Sequence, residues 1–421
     1  MAQSFRKMGA EWQTAVFRAG LVFIVVRLFL LVWAVVATSI NPVPETPDET
    51  LRPYLGAPQL TTGWEGLLLE PWQRFDALRY LRLAREGYAH EEDSVFPPLY
   101  PLLLRGLGGL WGGGDVALLL AGLLISNLAA LGLLILLYWV TTAEFGEAQA
   151  TRTLVYLLLF PTGFFLFAPY TESLFMLLAL GSLWAGRNGR FWWAGGLGLL
   201  AALTRLTGWV LVIPLLYEWG HNWWQQNRSA YYVVRKDGWL RTRHHALRTI
   251  TLPKLASLLA TSLPAVGLLL FLGWRWWVGL PPINEMYRQY WYQTTGIPGS
   301  DVITAVYTLF GGGEVRANEY LALALDFGVL LLLVGTTAVA LRRLPRSYAL
   351  YATLLLLFML LPTSEVKPLY SFSRYALAFF PTFWLLACWG QNPWINRLIL
   401  YPFLLLYLYY SGQFFIWGWV A

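Results

Sequence analysis

WWAGGLGLLAALTRLTGWVLVIPLLY, residues 192–217, is apolar and long enough for one membrane crossing, yet TRLTG at 204–208 interrupts it at its midpoint. A helix needs about 20 apolar residues to cross the hydrocarbon core. An arginine at the bilayer centre costs about 2.5–3.5 kcal/mol on insertion scales, so such a residue faces a cavity or a partner. The threading of the whole chain depends on whether this stretch crosses once or doubles back. The loop that follows, 218–254, carries Arg228, Arg235, Lys236, Arg241, Arg243, Arg248 and Lys254. Loops this rich in Lys and Arg stay in the cytoplasm. With Arg6 and Lys7 holding the N-terminus inside, the count of crossings closes only if 192–217 is a hairpin of two short helices with Arg205 near its outer turn. The same count places RRLPR, 342–346, inside as well. Non-helical backbone at membrane depth is tolerated where protein covers it or a wet cavity adjoins it.

Working outward, further apolar runs occupy 16–39, 116–140, 154–168, 172–185, 255–278, 321–341, 350–361, 372–388 and 398–417. Of the 421 residues, 57% are hydrophobic and 13% charged, and the mean hydropathy is +0.51. These values exclude a soluble globular domain. The reading is an all-α, polytopic transmembrane bundle of about 11 helices, the hairpin included, forming one domain over 1–421. MAQSFRKMGAEWQTAVFRAG at the start has no small-residue cleavage site after a short apolar core, which predicts a retained first helix. The net charge of +7 matches anionic lipid head groups as partners, not nucleic acid. Cys388 stands alone, so there is no disulfide framework. Phosphate-loop, dinucleotide and nucleophile-elbow motifs are all missing.

On this threading 41–115, 281–319 and TSEVKPLY at 363–370 face outward, and three outer loops can share one site. The first contains PWQRFDALRYLRLAREGY, 71–88. Phe75, Leu78, Leu81 and Ala84 recur at helical spacing, with Arg74, Arg82, Arg85 and Glu86 between them, predicting a helix laid along the interface and ended by Gly87. Asp76 falls in its first turn, where unpaired N–H groups and the helix dipole stabilise a carboxylate. Two readings of Asp76 stand: a first-turn acid paired with Arg79 or Tyr80, or a catalytic acid.

WQRFDALRYLRLAREGY, VFPPLYPLLL, LLLFPTGFFLFAPYTESLFMLLAL, LAALTRLTGWVLVIPL and SFSRYALAFFP follow one another in the order and approximate spacing of the PIG-V family. The chain resembles these polytopic mannosyltransferases from about Trp72 to Pro381. It departs where the family usually has Trp before the acid and His three residues after it, since Phe75 and Arg79 stand there. The resemblance implies a GT-C glycosyltransferase with a polyprenyl-phosphate mannose donor, a glycolipid or glycan acceptor and a non-cytoplasmic active site. It also implies no metal or other cofactor, so HEED at 90–93 and His221, His244 and His245 are not expected to bind an ion. Asp76 matches the family's catalytic acid. One carboxylate suffices as a base when the donor already carries a good leaving group, and attack from the opposite face inverts the anomeric carbon, giving an α-linked, by family α-1,6, product. Arg374 and Arg205 are the candidates for the donor phosphate, against snorkelling or pairing with an acid such as Glu365. Glu172 is either a helix-start acid capped by Thr171 or a second acid toward the acceptor. Arg79, Tyr80, Tyr100 and Tyr170 are the remaining acceptor or sugar candidates, the tyrosines alternatively forming an interfacial belt. The preference for Arg over Lys and the compact loops point to a prokaryotic plasma membrane over the endoplasmic reticulum. The rival reading is a transporter or flippase; against it stand the lack of matching halves and the structured first outer loop. The sequence sets no oligomeric state.

Overall fold

The structure is a computed structural model that describes residues 2–44, 48, 50–236, 252–312, 316–364 and 366–420. Helices follow in the order α1 (Ala2–Ile40), α2 (Gly63–Leu68), α3 (Asp76–Glu86), α4 (Leu99–Gly109), α5 (Asp115–Phe145), α6 (Glu147–Leu158), α7 (Glu172–Arg187), α8 (Phe191–Thr204) and α9 (Val212–Lys236). They continue as α10 (Leu252–Thr261), α11 (Leu263–Trp277), α12 (Ile283–Tyr290), α13 (Ser300–Phe310), α14 (Ala317–Arg343), α15 (Arg346–Met359), α16 (Phe372–Tyr375), α17 (Phe380–Trp389) and α18 (Pro393–Phe415). The fold is all-α; the one sheet among the described residues pairs β1 (Thr294–Thr295) antiparallel with β2 (Pro362–Thr363).

Glu11–Ile40 of α1, together with α5, α14 and α18, are long and apolar enough to cross a membrane. The pair Leu255–Thr261 and Leu263–Trp277, bent by 53°, makes a fifth broken span. The protein is an integral membrane protein, and α1 shows why: it buries Ala15, Ala19, Leu30 and Ala34 and turns Phe17, Val25, Leu28 and Val32 outward. An apolar face left on the outside is what lipid covers. The expected 11 spans are not all present as continuous helices. Run 154–168 stops at Leu158, before Pro161, and continues as a 3-10 turn at Gly163–Leu166. Run 372–388 is divided into α16, a 3-10 turn at Ala376–Ala378, and α17 with Pro381 in its first turn. Proline ends a helix because it lacks the N–H and clashes with the preceding turn.

The 192–217 stretch doubles back. α8 ends at Thr204, Arg205 is extended (φ −145°, ψ 140°), and a 3-10 turn over Leu206–Leu211 leads into α9. The turn lies on the last turn of α8, and a Cβ at Gly208 would overlap the backbone of Ala201 and Ala202. Only glycine permits that approach. α8 also packs closely on the bent pair: a Cβ at Gly198 would reach Pro264 Cγ at 2.5 Å, and one at Gly267 would reach Leu199 O at 2.7 Å. Small residues at helix contacts drive this kind of packing where no water is present to be excluded. Of the basic loop 218–254, Arg241, Arg243, Arg248, His244 and His245 lie outside the described residues.

α3 does not lie along an interface as expected; it is enclosed, with Ala77, Leu78, Tyr80, Leu81, Arg82, Leu83 and Ala84 all buried. Acids from its own loop satisfy its arginines, so no lipid head group is required. Arg82 donates from Nε to Asp93 (2.7 Å) and from Nη2 to Glu92 (2.8 Å), and Arg79 donates to Asp93 (2.8 Å). Arg74, fully buried, donates to Glu70 and to the carbonyl of Phe415 at the end of α18. The three loops predicted to face outward converge. Trp291 Nε1 donates to Glu92 O (3.2 Å), Arg275 bridges Ser94 O and Pro281 O, and β1 pairs with β2.

Candidate active site

Asp76 opens α3, and the preceding residue, Phe75, has φ 49° and ψ −120°, a left-handed conformation that a residue with a Cβ avoids. Its ring is held edge-on by Trp417 (5.4 Å) and Trp419 (5.5 Å) and tilted against Phe414 (6.0 Å). Packing by the C-terminal aromatics therefore fixes the turn that aims Asp76. Across from it, Arg374 sits on the single turn α16, and its Nη1 donates to Asp76 Oδ2 at 2.8 Å. Arg374 Nε lies 3.2 Å from Oε1 of Glu172, the first residue of α7. The same Oε1 accepts from Nη1 of Arg205 at 2.7 Å.

Asp76, Arg374, Glu172 and Arg205 thus form one alternating array of two acids and two guanidinium groups, formally neutral and largely buried. Burial of this kind is sustained only when each charge has a partner. Tyr375 adds to it: its ring lies 4.8 Å from the Arg205 guanidinium and 5.2 Å from that of Arg374. Both distances suit cation–π attraction. The array is not saturated. Glu172 Oε2 and Ser371 Oγ are buried without a hydrogen-bond partner among the described residues, and Arg374 Nε meets Glu172 Oε1 as an ion pair without hydrogen-bond geometry. Such orphans are rare in folded proteins and mark places where a ligand or water is bound.

A cavity of about 330 Å³ opens beside the array, with Arg205, Arg374, Tyr80, Tyr287, Tyr370 and Tyr375 among its polar walls and Phe96, Phe358 and Met359 among its apolar ones. Its size and mixed lining are those of a small-molecule site. A smaller cavity of about 20 Å³ touches Glu172, Arg205 and Arg374. Burial, and then the nearby carboxylates of Asp76 and Glu172, push the Tyr80 hydroxyl well above its usual range. Burial also raises Tyr287. Both present neutral O–H groups able to donate to a sugar hydroxyl.

Four of the five charged residues singled out in the sequence, Asp76, Glu172, Arg205 and Arg374, are thereby brought together, three from separate helices and Arg205 from the turn after α8. Tyr80 lines the cavity and shares a hydrogen bond with Thr171 Oγ1 (3.3 Å). Arg79 instead turns to Asp93 and covers the Trp291 ring at 4.7 Å, so Asp76 pairs with neither neighbour on its own helix. Tyr100 is enclosed, bonded to Ser126 Oγ (2.8 Å) and Gly122 O (3.2 Å). Tyr170 donates to Arg74 O (3.2 Å) and packs its ring 5.5 Å from the Arg374 guanidinium. Arg79, Tyr100 and Tyr170 frame the site. Tyr287, Tyr370 and Tyr375 were not singled out in the sequence; only the last carried a signal, its place beside Arg374 in SFSRY. His90 bonds Glu86 (2.8 Å), and no group of three or more metal-ligating side chains occurs among the described residues. Glu365 lies outside them.

Residues 19–217 match the model of the mannosyltransferase (PIG-V) family. The chain is 34% identical over 183 residues to GPI alpha-1,6-mannosyltransferase 2 of Mus musculus, covering 40% of this chain and 35% of the mouse protein. It is 30% identical over 179 residues to GPI mannosyltransferase 2 of Yarrowia lipolytica, covering 40% and 48%. The chain thus spans about a third to a half of the length of these curated relatives. Among solved structures, ArnT from Cupriavidus metallidurans bound to undecaprenyl phosphate aligns with a TM-score of 0.44 at 15% identity, over 94% of this chain and 76% of ArnT. The Archaeoglobus fulgidus oligosaccharyltransferase aligns with a TM-score of 0.38 at 13% identity, over 91% and 53%.

Proposed function

We propose, taking as premise that the chain is PIG-V-like, that it is an inverting membrane mannosyltransferase of GT-C type. It moves mannose from a polyprenyl-phosphate carrier to a hydroxyl of a glycolipid or glycan, with an α-1,6 linkage. The observation that carries this reading is the Asp76–Arg374–Glu172–Arg205 array, whose two arginines line a cavity of sugar size. The acceptor hydroxyl gives its proton to Asp76 as its oxygen bonds the anomeric carbon. The bond from that carbon to the phosphate oxygen breaks, and the electron pair leaves with the phosphate. A positioned base of this kind contributes about 10²-fold to 10⁴-fold.

Asp76 has one oxygen, Oδ2, on Arg374, which leaves Oδ1 for the acceptor proton. Arg374 and Arg205 retain donors toward the cavity and stabilise the phosphate charge as it develops. Glu172 orients Arg205 through Oε1 and lines the smaller cavity of about 20 Å³, room for a water that relays it to an acceptor hydroxyl. The scheme calls on no metal. Irregular backbone and three loops gather at the array's end of the bundle, which we assign to the non-cytoplasmic face. The excess of Arg over Lys and the short loops favour a prokaryotic plasma membrane, although the two relatives described are eukaryotic. The purified full-length chain, given polyprenyl-phosphate mannose and membrane glycolipid extract, should release polyprenyl phosphate, and Asp76→Asn should abolish release while leaving the protein folded. Turnover of Asp76→Asn at the wild-type rate would return Asp76 to a structural role.

A further inference from the structure

Arg374 stands on a helix of one turn, too short to hold a side chain in place by itself. The segment leading into it, 362–373, also has two non-glycine residues in the left-handed region, Leu369 (φ 57°) and Ser371 (φ 59°). Such a segment keeps its shape only if its surroundings over-determine it. Two buried carboxylates outside the array do so. Asp301, on α13, accepts from the backbone N–H of Ser364 with both oxygens (3.1 Å each) and from that of Leu369 with Oδ2 (3.2 Å). Asp326, within the membrane-spanning α14, accepts the backbone N–H of Ser373 at 2.6 Å. On the other side of the same residue, Thr162 Oγ1 donates to Ser373 O at 2.9 Å. The residue immediately before Arg374 is therefore held through both its N–H and its C=O, and the start of the segment is held by Asp301.

A carboxylate in the middle of a membrane helix is costly and persists where it has work to do. Neither acid has an ion-pair partner among the described residues. Each is spent on main-chain amides of one segment, the one that delivers Arg374 to Asp76 and Glu172. We infer that Asp326 and Asp301 are positioning residues for Arg374, anchoring its segment so that the guanidinium stays between the two acids and the cavity. Asp326 touches no substrate in this scheme, whereas Asp301 also lines the cavity of about 330 Å³. The part of the inference that concerns the donor rests on the proposed function; the part that concerns the anchor does not.

Two measurements on the full-length protein in detergent separate these parts. The first is amide hydrogen exchange of peptides covering 364–375. Asp326→Ala should raise exchange there at least tenfold, whereas Asp326→Asn, which keeps an acceptor oxygen for the Ser373 N–H, should stay close to wild type. The second is steady-state transfer from polyprenyl-phosphate mannose. Asp326→Ala should raise the donor KM about tenfold or more with a smaller change in kcat, and Asp326→Asn should restore it. Unchanged exchange in Asp326→Ala, or equal loss in the Ala and Asn variants, overturns the anchor. Altered exchange with an unaltered donor KM overturns the link to Arg374. Should Asp326→Ala not yield folded protein, Asp301→Ala gives the exchange reading from the other end of the segment: exchange over 364–369 should rise at least tenfold, and unchanged exchange overturns the anchor. A wild-type chain with no transfer at all would defeat the functional reading and leave the exchange result standing.

Discussion

Replacing Arg374 with methionine tests the array most directly. The guanidinium is 10% exposed and its Asp76 partner 11%. Removing one member of a buried pair costs about 3–5 kcal/mol, because the other is left as an uncompensated charge. Glu172 keeps Arg205 at 2.7 Å, so only Asp76 is orphaned, and the loss belongs at the lower end, about 3 kcal/mol. In the double variant Asp76→Asn with Arg374→Met no charge is left alone, and about 2 kcal/mol of that loss should return. At about 2 °C per kcal/mol for a chain larger than a single small domain, the single variant should melt about 6 °C below wild type and the double variant about 2 °C below. Thermal unfolding of detergent-solubilised protein followed by size-exclusion chromatography reads this difference. Transfer should fall about 10²-fold to 10³-fold in the single variant, the loss found when one preorganised donor to developing charge is removed. Losses in Asp76→Asn and in Arg374→Met that simply add in the double variant would show that the two groups are not energetically coupled. Wild-type turnover in Arg374→Met would remove the arginine from the chemistry.

Two further substitutions separate framework from site. Tyr100→Phe should cost about 1 kcal/mol of stability, the loss of one buried hydrogen bond, with transfer unchanged; a fall in transfer without a fall in melting temperature would place Tyr100 in the site. Gly195→Val should prevent folding, since even a Cβ there would run into the carbonyl of Ala260 where α8 crosses α10, and recovery of monodisperse protein at wild-type yield would contradict that crossing.

Composition and hydropathy were enough to show an all-α membrane protein, because the constraint that every backbone amide be satisfied inside lipid leaves few alternatives. The site was legible in unequal parts. Charged residues in otherwise apolar surroundings announce themselves, and Arg205 and Arg374 were found this way, whereas Asp76 and Glu172 stood out through the resemblance to the PIG-V family. What could not be read was their pairing. Asp76 meets Arg374, 298 positions away, and no local pattern encodes that contact. The enclosure of α3 was hidden for the same reason. Its alternation of arginine and leucine fits an interfacial helix equally well, and only the arrival of Glu92 and Asp93 beneath Arg82 shows that its polar face is satisfied from within. Tyr287 and Tyr370 gave no signal because aromatic residues are common throughout the chain, at 17%, and nothing distinguishes a cavity wall from a belt.

Where periodicity alone misread the chain, the errors fall around the array. Run 154–168 breaks at Pro161 and Gly163, whose turn places Thr162 on Ser373 and Phe165 against Arg374. Run 372–388 breaks just after Arg374 itself. The hairpin, expected from the sequence, likewise turns at Arg205. A continuous helix would carry each of these side chains around on a cylinder at 100° per residue, and two arginines and two acids from four such cylinders do not converge on one point without altering direction locally. The breaks supply that change. Their cost in lost helix hydrogen bonds is tolerated in a membrane only where protein or a cavity covers the exposed backbone, and the cavity lined by Arg205 and Arg374 meets that condition. The irregular segments are thus the part of the fold that the proposed chemistry requires, and a scaffold of unbroken spans would be the more stable protein without the array.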